Sequence, residues 1–511
     1  MRKRSFWNRL LVGLLLCTLA ACFLYIVLGH QLIRAAYESQ NLGNVIMPHR
    51  DITRLESYYY GADTRMILMT FRGLVAILLA FALLNFPIGL VLASASLLVT
   101  SFILFSFFEL FPSFIKPLHF DITGYYAYKA SYLPDAKLAY IEKPFHTDVT
   151  HDFRGHAYSP LYGIDVKPTT VEWKTDGEGF RNSRTLSSAD IVVMGDSYIE
   201  YGDNEADTFG KRLERHLPRL TVANLGKAGY NPFQYLEVFK RYGLKKQPKY
   251  ALFCFYEGND INEMKQYLQW QRGDKNASNL YYTMGSKTFF QRYKIALQEI
   301  LHLLRATAFN LIQLPLIKIL DTQHYIIHPD LALLRLPNGT YHKMLFIPRL
   351  SKASPEEMLR SDEWIALKNI LMDFKNTSFQ HDIVPIVLYI PTPTHIYASY
   401  STKESGNNWL AELNEQVAAK ENAHAALQNL VKQTGVPFIS LVPVFERQAA
   451  AGRLLYYPMD SHWNSEGREV AAQFVADILN TIRSQELTSG MRTILQKLKI
   501  QPMANGQGAT Q

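Results

Sequence analysis

Five short runs between residues 190 and 440 constrain this chain more than anything else in it. They are Ile191 to Met194, Thr221 to Asn224, Ala251 to Tyr256, Ile383 to Ile390 and Val436 to Ser440, and nearly every position in them is apolar. A strand with one wet face alternates polar and apolar residues, whereas a strand covered by helices on both faces does not. Helical stretches separate the runs, so the order predicts an α/β/α sandwich, doubly wound around a parallel sheet of about five strands. Between the third and fourth runs, Ile261 to Asp382 exceeds what one crossover requires and is predicted to be an insertion. Within it, Phe289 to Leu320 is apolar and helical in pattern, with Leu297, Ile300, Leu301 and Leu304 on one face. A lid, a membrane-surface helix and simple packing on the sheet all suit that segment.

The N-terminal part has a different character. Arg2, Lys3, Arg4 and Arg9 precede an uncharged run from Leu10 to Leu28, and a second apolar region from Met66 to Phe108 is broken only by Arg72. Asn85-Phe86-Pro87 supplies a turn inside the second region. A bilayer core of about 30 Å needs about 20 apolar residues. The pattern therefore predicts three transmembrane helices, at residues 10–28, 66–85 and 87–108. Leu19-Ala20-Ala21-Cys22 resembles a lipoprotein cleavage signal, but the apolar run Phe23 to Leu28 beyond it favours an uncleaved helix. With the basic N-terminus held in the cytoplasm, everything after residue 110 is expected on the extracytoplasmic side of a membrane such as the bacterial inner membrane. The expected organisation is a membrane region to residue 110, an irregular or small β lead-in over 111–186, a catalytic domain over 187–483 and a C-terminal tail over 484–511.

Composition excludes some functions. Lys and Arg number 53 against 45 Asp and Glu, giving +8, yet the basic residues are scattered, so nucleic acid is not an expected partner. Cys17 and Cys22 lie in the first apolar run and Cys254 in the third strand, a set with neither disulfide framework nor zinc spacing. His146, His151 and His156 fit no regular metal motif and read as solvated loop residues.

The chemistry-bearing residues follow the strands. Gly195-Asp196-Ser197 comes directly after the first run, where a parallel sheet presents reactive groups at its carboxyl edge. Gly226-Lys227-Ala228-Gly229 follows the second, and its glycine lets a backbone N–H approach a substrate oxygen. Glu257-Gly258-Asn259-Asp260 follows the third and offers the Asn259 amide for the same purpose. Asp460-Ser461-His462-Trp463-Asn464 supplies an imidazole and a carboxylate together. Each piece alone suits an ordinary turn.

Taken in order, the four pieces resemble the sequence blocks of the SGNH (GDSL-type) hydrolase superfamily, over residues 190–480 without the insertion. The resemblance implies a flavodoxin-like fold and acyl-ester chemistry with Ser197 as nucleophile, His462 as base and Asp460 as its orienting acid. It also implies an oxyanion hole built from the N–H groups of Ser197 and Gly229 and the amide of Asn259, with neither metal nor organic cofactor. Two departures stand out. The acid precedes His462 by two residues rather than the usual three, an Asp-x-His-Trp arrangement similar to that of periplasmic alginate O-acetyltransferases. Glu257 stands where many members have glycine, either repelling charge near the oxyanion or pointing into solvent. Thr175 to Asn182 and Ile390 to Thr394 resemble a lead-in and an active-site border of the same branch.

These readings point to a membrane-anchored esterase removing acyl groups from a cell-envelope glycan or lipid, its partners being the bilayer and the ester-bearing substrate. An O-acyltransferase with a membrane acyl-donor partner is the first alternative. A catalytically inert envelope assembly or glycan-binding module is the second.

Overall fold

The computed structural model describes residues 131–150, 171–273, 331–346, 349–458 and 460–488, with short helical pieces around 99–106 and 289–294. The three predicted transmembrane helices and the segment 295–320 lie almost entirely outside the described residues. No described helix is long and apolar enough to cross a membrane. The chain divides into two compact units: residues 1–130, 161–163 and 286–326 form one, and the remainder, which holds the described strands, forms the other. In the first, Phe102 rests edge-on against Phe289 and Tyr293.

The second unit opens with β1 (Tyr132–Asp135) and β2 (Ala139–Glu142), an antiparallel pair, followed by β3 (Thr147–Thr150) and β4 (Val171–Lys174), a second such pair. Next come β5 (Ile191–Met194), β6 (Val222–Asn224) and β7 (Tyr250–Tyr256). An antiparallel hairpin, β8 (Leu331–Arg335) and β9 (Tyr341–Leu345), precedes β10 (Val384–Ile390) and β11 (Phe438–Ser440). The five apolar runs are thus β5, β6, β7, β10 and β11, and they pair in parallel in the order β11-β10-β7-β5-β6. Counted along the chain this is the order 2-1-3-4-5 of flavodoxin-like sheets, which places the topological switch point between β5 and β7.

Burial explains why these runs lack polar alternation. Every residue of β5, β7 and β10 is buried. Such strands cannot form until helices cover both faces, each enclosed Val, Leu or Ile contributing roughly 1.5–3 kcal/mol. On the sheet lie Phe209–His216, Asp362–Gln380, Asn422–Thr434 and Ser465–Thr488, through Leu213, Leu371, Phe374, Leu427, Leu430, Val475 and Leu479. The last helix runs past the predicted domain end at 483. The predicted insertion 261–382 contains the crossover helix Asp362–Gln380 itself, and its remainder holds the β8–β9 hairpin.

The lead-in is tied closely to the sheet. Thr175, Asp176, Arg181 and Asn182 are buried, although turn chemistry alone would leave them wet. Asn182 Nδ2 donates to the Asn224 carbonyl at 3.0 Å, and the Asn224 N–H returns a bond to Asn182 Oδ1 at 2.9 Å. Arg181 donates to the carbonyls of Glu172 and Glu200. These bonds tie the lead-in to β4, to the end of β6 and to the short helix after β5, beside two of the four sequence blocks.

Candidate active site

The turn that carries Ser197, the predicted nucleophile, is built by close approach. A Cβ on Gly195 would stand 2.4 Å from Ile199 Cγ1 and 3.1 Å from Cys254 Cβ, so only glycine lets the chain leave β5 so tightly. Asp196 caps the short helix Ser197–Glu200, its Oδ1 accepting from the Tyr198 N–H at 2.9 Å. Burial raises the Asp196 carboxyl to about 6, against the opposing pull of that N–H and of His462. Ser197 therefore sits at the carboxyl end of β5, beside the switch point.

His462 arrives from the loop before the last helix. Its Nε2 lies 2.7 Å from Ser197 Oγ and its Nδ1 2.5 Å from Asp460 Oδ1. The two-residue spacing has a simple consequence: the same Asp460 oxygen also accepts the His462 backbone N–H at 3.1 Å, closing an Asx turn. A carboxylate two residues upstream can thus orient the imidazole as well as one three upstream.

The loop itself is clamped on several sides. Trp463, fully buried, donates its indole N–H to the Tyr198 carbonyl at 3.1 Å and stacks on Phe209. The Tyr198 hydroxyl donates to the Ser461 carbonyl. Tyr198 and Tyr201 set their rings 5.0 Å from the His462 ring. Asn464 Oδ1 accepts from Gly467 N–H at 2.9 Å and caps the last helix, while buried Arg468 binds the Trp463 carbonyl and Asp207. These tyrosine and arginine contacts have no local sequence signature.

The predicted oxyanion donors lie on the loops flanking β5. Gly229, after β6, has φ +74°, and a Cβ there would stand 2.7 Å from the Tyr140 hydroxyl. That hydroxyl donates to the Ala228 carbonyl at 2.6 Å, so the lead-in shapes this loop directly. Asn259, after β7, begins the helix Asp260–Gln271 without capping it through its side chain, and its Oδ1 is buried with no hydrogen-bond partner among the described residues. Asp260 beside it is buried, accepting from the Tyr235 hydroxyl and the Tyr256 N–H, with its carboxyl pushed well up by burial and by Asp196.

A buried charge cluster behind this loop escaped the sequence reading. Lys227 binds Glu142 of β2 and Glu200 of the nucleophile helix, all three side chains being essentially sealed from solvent. Ala228 N–H donates to Glu200 Oε2 at 2.7 Å, and the Trp173 indole to Glu142 Oε1 at 2.6 Å. Burial alone would depress the Lys227 ammonium, but the two glutamates outweigh it and hold it above the ordinary lysine range. Glu200 is raised to about 7, chiefly by burial.

Glu257 follows neither of the two expected courses. It turns under β10, where its Oε2 accepts from Thr392 N–H at 2.9 Å and Thr392 Oγ1 at 3.0 Å, and its Oε1 meets His395 Nδ1 at 2.9 Å. Burial pushes this carboxyl up, but His395 outweighs it and the net position is below the usual range. His395 itself is raised to about 9, burial opposing and Glu257 prevailing. The Ile390 to Thr394 stretch, which resembles an active-site border, is thus the anchor for a second histidine–carboxylate pair.

Residues 380–503 match a family described as "SGNH hydrolase-like domain, acetyltransferase AlgX". That match contains Asp460 and His462, and the turn after β5 brings Ser197 to them. Over those residues the chain matches the SGNH superfamily. No curated protein matches the chain. Among solved structures, a putative GDSL-like lipase from Parabacteroides merdae is similar at 10% identity over 57% of this chain and 96% of its own, with a TM-score of 0.29. A mutant of an acetyl-xylooligosaccharide esterase from Geobacillus shares 11% identity over 57% and 95%, with a TM-score of 0.27. An alpha/beta hydrolase enzyme from the metagenome of Lake Arreo, Spain, shares 13% over 57% and 95%, also at 0.27. Those likenesses are too distant to bear on what the SGNH domain does.

Proposed function

We propose that this chain is a membrane-anchored serine enzyme that acts on acyl esters of a cell-envelope glycan or lipid. One observation carries the reading: His462 bridges Asp460 and Ser197 at 2.5 and 2.7 Å, joining residues that lie 265 positions apart in sequence. As the Ser197 oxygen bonds to the ester carbon, its proton passes to His462 Nε2, and Asp460 stabilises the imidazolium. The carbonyl electrons move onto the oxygen, where the Ser197 and Gly229 N–H groups and the Asn259 amide would hold the charge. Collapse breaks the ester bond, the departing alcohol takes the proton from His462, and an acyl-serine remains.

Two acceptors can then complete the cycle, each giving its proton to His462. Water yields free acid and makes the protein an esterase. A sugar hydroxyl yields an acylated glycan, and the acetyltransferase description of the matching family favours this second reading. The apolar runs Leu10 to Leu28 and Met66 to Phe108 support anchoring, and with it an extracytoplasmic substrate. The purified chain, given an activated acetyl ester with and without an oligosaccharide acceptor, should release acetate or acetylate the sugar, and neither product should form with Ser197→Ala. An unchanged product yield in Ser197→Ala would defeat the proposal.

A further inference from the structure

The second histidine is arranged as a ligand is. His395, on the helix Pro393–Tyr397, is 1% exposed, and its Nε2 has no hydrogen-bond partner among the described residues. Its other nitrogen is held by Glu257, itself fixed by two bonds from Thr392. A carboxylate behind the ring holds the Nδ1 proton and sets Nε2 facing forward, the support that metal-bound histidines almost always have. Ahead of Nε2 lie Glu421, at the start of helix Asn422–Thr434, and Glu446, on helix Val442–Ala450. The nearest Glu421 oxygen is 3.7 Å away, and one donor atom from each of the three residues lies within 4.8 Å of the others.

We propose that His395, Glu421 and Glu446 bind one divalent transition-metal ion of the zinc class. Bonds of about 2.0–2.2 Å to nitrogen and carboxylate oxygen require donor atoms slightly closer than these. The two glutamate side chains are about half exposed and can make the adjustment, whereas the histidine is rigidly placed. The ion must displace the Lys420 ammonium, now 3.0 Å from Glu446 Oε1 and 3.9 Å from Glu421 Oε1. His424 Nδ1, 3.3 Å from Glu421 Oε2, holds that carboxylate from its far side. The site would staple the three segments that carry its donors. It is independent of the acyl chemistry, which needs no metal, and the three donors are too scattered in sequence for any ligand spacing to reveal them.

Binding takes the neutral imidazole, so the ion replaces any proton on Nε2. The direct experiment is calorimetric titration of the chelator-treated full-length chain with zinc chloride alone. The account expects one zinc per chain, at least tenfold weaker binding in the Glu421→Gln/Glu446→Gln double variant and several-fold tighter binding in Lys420→Met. Circular dichroism of the double variant, whose changes are at half-exposed positions, should remain that of the parent. The proposal is overturned if zinc does not bind saturably, or if a correctly folded double variant binds it as the parent does.

Discussion

Two histidines stand near the carboxyl edge of the sheet, each with Nδ1 on a carboxylate, and they differ in what the other nitrogen meets. At His462 the pair is 18% and 22% exposed in its side chains, and Nε2 rests on a serine hydroxyl. At His395 the pair is 0% and 1% exposed, and Nε2 faces the carboxylates of Glu421 and Glu446. On the proposed function, the first imidazole is the one placed to take a proton from Ser197 and hand it to the departing alcohol. The second is sealed inside the protein against Glu257, and among the described residues no path for a substrate runs between its carboxylate neighbours. A histidine–carboxylate pair is thus no signature of catalysis by itself; access and the group at the far nitrogen decide.

Substitutions should separate the two sites cleanly. Ser197→Ala or His462→Gln is expected to lower kcat by on the order of 10⁶-fold, with little loss of stability, because both act as one unit in the chemistry. Activity assays alongside thermal melts read this directly. His395→Gln should do the reverse, costing about 3–5 kcal/mol of stability by leaving Glu257 buried without its cation. Denaturant titration measures that cost, and a parent-like midpoint would erase the distinction drawn above. Asn259→Ala should lower kcat by about 10²–10³-fold, or about 2.7–4 kcal/mol in the barrier, with KM nearly unchanged. Its neighbour Glu257 serves the other pair, so this variant also tests whether the loop after β7 divides its work between the two.

The smallest effect is a pH dependence. His395 is raised from 6.5 to about 9 in the folded state, so the folded chain holds a proton there that the unfolded chain gives up sooner. Its contribution to stability is complete below about pH 6.5 and is lost as the pH rises through about 9. Melting temperatures across that window should fall in the parent and stay flatter in His395→Gln.

Much of this contrast could be read from sequence and much could not. The five apolar runs mark the sheet because strands covered on both faces need apolar residues throughout, and their observed ends differ from the expected ones by a residue or two. Gly195, Ser197, Gly229 and Asn259 follow strand ends and His462 shortly precedes a helix cap, where local chemistry leaves a mark. Asp460 looked displaced, yet an Asx turn makes its spacing serviceable. Glu257 and His395 are 138 residues apart, and Lys227 lies 85 residues from Glu142 and 27 from Glu200. No periodicity links such partners, since only the folded topology brings them together. The burial of Arg181 and Asn182 was equally hidden, because a segment rich in turn residues reads as surface until its carbonyl partners on β4, β6 and the nucleophile helix are known.

The central claim is that Ser197 is activated by His462, and it yields to one measurement: labelling of the folded chain with a fluorophosphonate, followed by mass mapping of the modified residue. The account predicts a single adduct on Ser197 in the parent and in His395→Gln, and none in His462→Gln. An unlabelled parent, or an adduct that persists unchanged without His462, would contradict it.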